Sequence, residues 1–195
     1  MCMPNFTALM VLLRSGDPEA AALLHRRFAG QLIYLTRRHL GEHTRRHLDA
    51  EDVVQAAFHD FFRLHRRGRL RPTSWANLWA VLKVIALREC GHRLQALRAA
   101  RRDVRRQVSL DGGTDAGLAT ALRDRGPTGA EAAEANDLLA RLENGLGEPE
   151  RQVLALQLHG YTIPEIGDRT GRAARTVRRL LQRVRSRFCR LLEAG

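Results

Sequence analysis

The sequence predicts an all-α fold: two small helical domains joined by a flexible linker, the C-terminal one a helix-turn-helix. Three observations carry this. Apolar residues recur at helical spacing through most of the chain, and no strong strand pattern interrupts them. The periodicity dissolves once at length, between about residues 103 and 130. The last fifty residues set a short apolar helix, a glycine turn and an arginine-studded second helix in succession.

The elements follow in order. Gly16-Asp17-Pro18-Glu19 is a helix start, with Asp17 as N-cap and Pro18 in the first turn. Leu24, Phe28, Leu32 and Leu35 then fall at helical spacing, and Gly41 is expected to interrupt the run. A second start lies at Leu48-Asp49-Ala50-Glu51-Asp52, where acids suit the positive end of a helix dipole. Val53, Val54, Ala57, Phe58, Phe61, Phe62 and Leu64 make its apolar stripe, and Arg66-Arg67-Gly68 ends it. After a loop at Arg71–Ser74, Trp75 to Arg102 reads as one long helical stretch. Leu78, Leu82, Ile85 and Leu94 mark one face, and Gly91 is expected to bend or break it. Residues 1–102 thus form one helical domain. The polar, Gly-rich and Asp-rich segment 103–130 is a linker, and 131–195 is the second domain.

In that second domain Pro149-Glu150-Arg151 opens a helix that stops at His159-Gly160. Thr162, with Glu165 three residues on, has the spacing of a capping box. Gly167 is small where two helices approach, and Gly171 supplies the turn. The last helix starts at Ala173 and buries Val177, Leu180, Leu181, Val184, Phe188 and Leu191. Its other face is basic. Eight arginines and no acid lie between Arg172 and Arg190. Side chains near the start of such a helix reach base edges in the major groove, and flanking ones grip phosphate. Arg172, Arg175, Thr176 and Arg179 are the groove candidates, and Arg178 and Arg183 suit groove or backbone. A solvated basic face would look similar. The turn glycine, the apolar stripe and the one-sided charge together favour DNA.

Composition narrows the partners. The formal net charge is +12 over 195 residues, which suits a phosphate backbone or an acidic protein. Lys83 is the only lysine, so the excess is carried by arginine, whose fork matches phosphates and guanine edges. Cys2, Cys90 and Cys189 are odd in number and far apart, as expected of reduced thiols in a cytoplasmic protein. The apolar run Ala8–Leu13 is too short for a membrane span and lacks a basic leader. His39, His43 and His47 are four apart, but the expected break at Gly41 argues against a metal site. There is no phosphate-cradling loop and no nucleophile–base arrangement, so neither a cofactor nor an enzyme is expected.

Two motifs carry a resemblance. Asp49-Ala50-Glu51-Asp52-Val53-Val54-Gln55-Ala56-Ala57-Phe58 resembles the D-x-E-D-x-x-Q-x-x-F stretch of region 2.2 in sigma-70-type transcription initiation factors. Thr176-Val177 to Leu181, Arg183 and Arg185 is similar to the T-V-x-x-x-L-x-R-x-R pattern of region 4.2. With two domains and one linker, the chain is most similar to the extracytoplasmic-function (ECF) group, over about residues 10–105 and 131–192. The resemblance implies an initiation factor that binds core RNA polymerase, on the clamp helices of the beta-prime subunit and on the beta flap. Asp52, Gln55 and Phe58 would serve the clamp contact. Trp75, Asn77, Trp79, Lys83 and Arg88 fall where the family reads and melts the −10 promoter element. The arginine helix would read the −35 element of promoter DNA. The linker, with Ser109-Leu110-Asp111, would thread the polymerase cleft. Tryptophans at helical spacing also suit a core. Two departures stand out: Ala56 where the family often has an acid, and no Asn near Ile85. An acidic anti-sigma partner would suit the basic faces.

Two rival readings make different demands. A helix-turn-helix regulator would bind its DNA without polymerase. A DNA-processing enzyme would cleave strands, and the chain shows no recognisable catalytic cluster for that.

Overall fold

The computed structural model describes residues 5–45, 48–104 and 129–194. Among these residues every regular element is an α-helix, and there are eight: α1 (Phe6–Ser15), α2 (Pro18–Arg45), α3 (Ala50–Arg66), α4 (Trp75–Val104), α5 (Gly129–Asn144), α6 (Glu148–Leu158), α7 (Ile163–Thr170) and α8 (Ala174–Ala194). The all-α expectation holds. The expected linker lies almost wholly outside the described residues.

Local chemistry sets the helix ends. Asp17 Oδ1 accepts the Ala20 N–H at 2.8 Å, so the expected N-cap is made, and Asp49 Oδ1 accepts that of Glu51 at 2.9 Å, a further cap at the second helix start. Ser74 Oγ accepts the Asn77 N–H at 3.1 Å at the head of α4. Past α3 the chain turns through Gly68 at φ 68°, a left-handed angle that suits glycine. His65 then clasps the turn. Its ring nitrogens lie 3.0 Å from the carbonyl oxygens of Leu70 and of Met10 on α1.

Helix α4 organises the packing. From Ala76 to Lys83 every residue is buried, so no face of those two turns meets solvent. Helices α2 and α3 cover one side, α5 covers another, and α6 reaches its C-terminal half. Phe28 of α2, 2% exposed, stacks on Trp79 with ring centroids 5.4 Å apart and lies 6.1 Å from Trp75. The resulting core is continuous. It joins Leu9, Leu24, Phe61 and Leu82 from the N-terminal helices to Leu139 of α5 and Phe188 and Leu192 of α8. A helix buried all round needs apolar residues on every face, and WANLWAVLKVIAL supplies them.

Three expectations are corrected. Helix α1 was not foreseen; Asn5 caps it by accepting the Ala8 N–H, and Leu9, Met10 and Leu13 seat it on the core. Gly41 does not interrupt α2, which runs on to Arg45, so the break that counted against the histidine triplet is absent. His39 itself meets the Leu158 carbonyl at 3.4 Å through Nε2, and His47 lies outside the described residues. Gly91 does not break α4 either. A Cβ there would stand 2.8 Å from the Gln157 carbonyl oxygen and 2.9 Å from that of Leu158, so the glycine lets the end of α6 close on the helix.

Two outcomes follow. Phe28→Ala removes the ring stacked on Trp79 and should lower the unfolding free energy by about 3–5 kcal/mol in urea titrations; a loss below about 1 kcal/mol would contradict this packing. His39 titrates below its ordinary 6.5, chiefly because burial disfavours the imidazolium and secondarily through repulsion by His159. The unfolded chain then binds the proton more readily. Its contribution is therefore intact above pH 6.5 and is lost as pH falls below that value. Stability should decline less on acidification in His39→Gln than in the parent, and identical pH profiles would refute it.

Candidate nucleic-acid interface

The C-terminal helices α6, α7 and α8 build a tri-helical unit. Thr162 Oγ1 accepts the Glu165 N–H at 3.3 Å, and Glu165 Oε2 accepts the Thr162 N–H at 2.8 Å. The expected capping box is formed, and it fixes where α7 starts. Gly171 closes the helix in a left-handed conformation at φ 65°. A Cβ on Gly167 would stand 2.6 Å from the Arg172 carbonyl oxygen, so only glycine allows this turn to fold so tightly. Val153, Ile166, Val177 and Leu180 form the small core that sets α6, α7 and α8 against one another.

That core decides which way the arginines point. Burying Val177, Leu180, Val184 and Phe188 turns the opposite face of α8 outward. Arg175, Arg178, Arg179, Arg183, Arg185 and Arg190 are exposed, and Arg172 and Thr176 are half-buried beside them. Arg172 donates to the Thr170 carbonyl at 3.0 Å, which steadies it at the turn. Arg183 sits 4.0 Å from Glu150, a loose pair at an exposed position. Arg187 instead turns inward across Gly145, a position where any Cβ would collide with its guanidinium. Leu192, one residue past the expected Leu191, takes the last buried place.

The other candidate residues divide by exposure. Asp52 and Gln55 stand exposed on α3, next to Glu51, which pairs with Arg37 at 3.6 Å. Phe58 faces inward, 3% exposed, and its ring lies 6.0 Å from Phe62 and 4.9 Å from His25. It shares the apolar stripe with Val54 and Phe61, so it shapes α3 from beneath. Of the α4 candidates only Arg88 is exposed. Trp75 is half-buried, with the Arg27 guanidinium 4.3 Å from its ring centroid and Phe6 edge-on at 5.2 Å. Asn77, Trp79 and Lys83 are buried. Asn77 Nδ2 donates to Thr73 Oγ1 at 2.6 Å and to the Leu192 carbonyl at 3.3 Å. Lys83 Nζ donates to Asn136 Oδ1 at 2.9 Å.

Sequence reading missed the turn between α6 and α7. Arg98 of α4 donates to the His159 carbonyl at 3.0 Å. It also lies over the Tyr161 ring, 4.6 Å from the centroid, with Arg169 4.2 Å from the same centroid. The paired glycines Gly91 and Gly160 were the available signal. The thiol of Cys90, packed with Leu40 and Val53, is pushed up to about 12 by burial, which keeps it protonated and unreactive.

A basic recognition helix on a capped, glycine-turned scaffold defines a helix-turn-helix DNA-binding protein. The family model for ECF sigma factors matches residues 3–194, so the chain belongs to the ECF sigma factor family. It is a sigma factor, a DNA-binding protein of transcription that works with RNA polymerase, in a regulatory and non-enzymatic family. No curated protein matches the chain. Among the described residues, no helix is long and apolar enough to cross a membrane.

Thr162→Ala removes one side of the capping box and should cost about 1 kcal/mol of stability. Hydrogen exchange should rise first in the amides of α7; faster exchange confined to other helices would contradict the assignment.

Proposed function

We propose that the chain binds core RNA polymerase and directs promoter-specific initiation from the cytoplasm. In this reading residues 1–102 bind core and the −10 element, 103–130 form the linker, and 131–195 bind the −35 element. The single observation that carries it is the outward arginine face of α8. Its charge is one-sided, and its other face is locked into a core.

Each part has a physical task. Arg175, Arg178 and Arg179 would enter the major groove, where a bidentate arginine–guanine pair is worth about 1–3 kcal/mol. Arg185 and Arg190, farther along the helix, suit phosphates. Asp52 and Gln55 offer an acid and an amide to the beta-prime clamp helices, and the C-terminal helices would meet the beta flap. Trp75, Asn77, Trp79, Lys83 and Arg88 would serve strand opening, where stacking and cation contacts offset the loss of base pairing.

The test is run-off transcription with purified core polymerase on a promoter library. Promoter-dependent transcripts should require the chain, and Arg179→Ala should reduce them about tenfold without weakening core binding. Asp52→Ala with Gln55→Ala should weaken core binding instead. Specific DNA binding with no affinity for core would support a stand-alone helix-turn-helix regulator and sink this proposal.

A further inference from the structure

One arginine of α8 stands apart from the rest. Arg187 lies three residues past Val184 and four before Leu191, at the edge of the buried stripe, and is half-buried. Its guanidinium lies against Gly145, just past the last residue of α5, and fills the place where a Cβ on that residue would stand. Gly145 is not among the glycines with a positive φ. Its missing side chain therefore serves the guanidinium and not the backbone.

The place suits a cation. The Gly145 N–H donates to the carbonyls of Arg141 at 3.2 Å and Leu142 at 3.1 Å, which closes the last turn of α5. A helix C-terminus carries partial negative charge, and an arginine laid on it is stabilised. Among the described residues Arg187 Nε is buried and meets no acceptor. A donor buried without a partner costs free energy. A guanidinium turned inward at that cost is one withheld from phosphate.

What it covers is a corner. Helix α5 ends at Asn144 and α6 begins at Glu148, and Leu146 between them is buried. Glu150 ties the same corner. Its Oε2 accepts the Gly147 N–H at 2.9 Å, and its Oε1 lies 4.0 Å from Arg183, one turn before Arg187 on α8. The second half of α8 thus rests where α6 departs from α5. Helix α6 carries Val153, which packs with Val177 and Leu180 in the first half of α8. The place of the corner therefore sets the angle at which α8 presents Arg175 and Arg179.

We propose that Arg187 is a positioning residue for −35 recognition. It touches no DNA. Laid across Gly145, it fixes the α5–α6 corner against α8 and so sets the tilt of the arginine face. The role in recognition rests on the reading of α8 as the −35 reader; the latch itself does not.

The test uses Arg187→Ala, Arg187→Lys, Gly145→Ala and the double variant Gly145→Ala with Arg187→Ala, each checked for helicity by circular dichroism. Hydrogen exchange of the Glu150 and Arg151 amides, which both bond the Gly147 carbonyl at 3.0 Å, reads the corner. It should speed about fivefold or more in Gly145→Ala and in Arg187→Ala. The double variant should exchange no faster than Arg187→Ala, because the clash leaves with the guanidinium. In run-off assays with core polymerase, the parent should tell a promoter from a copy with one −35 base pair changed about tenfold, and Arg187→Ala about threefold or less. Arg187→Lys keeps the charge but not the planar fork, and should not restore discrimination. The salt slope of non-specific duplex binding by the free chain should be unchanged in Arg187→Ala, whereas Arg178→Ala should lower it by about 1. A slope lowered by about 1 in Arg187→Ala, with rescue by Arg187→Lys, would make Arg187 a phosphate contact and overturn the proposal. Additive exchange rates in the double variant would overturn the latch. Full discrimination by a variant whose corner exchanges faster would overturn the positioning role. A chain that starts no transcripts with core would remove the −35 reading and the positioning role with it, while the exchange cycle still decides the latch.

Discussion

The all-round burial of the first turns of α4, Ala76–Lys83, is the constraint from which the rest of the structure follows. The helix packs on α2 and α3 on one flank and on α5 on another. Stacking of Phe28 on Trp79 sets the position of α2 along it. The same helix receives the α6–α7 turn at Gly91, so it also sets where the helix-turn-helix sits. One element thereby links the acidic start of α3 to the basic face of α8. Its polar residues, Asn77 and Lys83, fall where the two halves of the chain meet.

Helix α8 belongs to two cores at once, which gives it a mechanical role. Its first half, with Val177 and Leu180, closes the small core of the helix-turn-helix. Its second half, with Val184, Phe188 and Leu192, joins the large core around α4. The arginines are thus mounted on a helix gripped along its whole length, and such rigidity favours defined contacts over a mobile basic tail. Phosphate contacts from this face would be strongly salt-dependent, because each one releases condensed counterions. In the proposed function, discrimination among sequences would come from the few side chains near Arg175 and Arg179.

Much of this was legible in the amino-acid sequence, for local reasons. Caps at Asp17 and Thr162 and the turn at Gly171 depend on residues within three positions of each other, so spacing alone reveals them. The direction of the arginine face followed from the period of Val177, Leu180 and Val184. What escaped reading depends on contacts distant in sequence. Gly91 looked like a breaker because its partner, the Gln157–Gly160 turn, lies nearly seventy residues away. Phe58 looked available beside Asp52 and Gln55, yet the helical period carries it to the core side. Trp79 and Lys83 are candidates by resemblance, with a core role open for the tryptophan, because only a single apolar face is traced along α4. The unbroken apolar run on both sides of Lys83 was the signal that a second layer covers it.

In the proposed function this chain recognises a promoter at two points only when polymerase holds them at the correct spacing. Footprinting tests it most directly: one promoter fragment is probed with the chain alone, with core polymerase alone and with both. Joint protection of the −35 and −10 elements is expected in the mixture, and no sequence-specific footprint from either protein by itself. A footprint from the chain alone, as strong and as extended as that of the mixture, would contradict it.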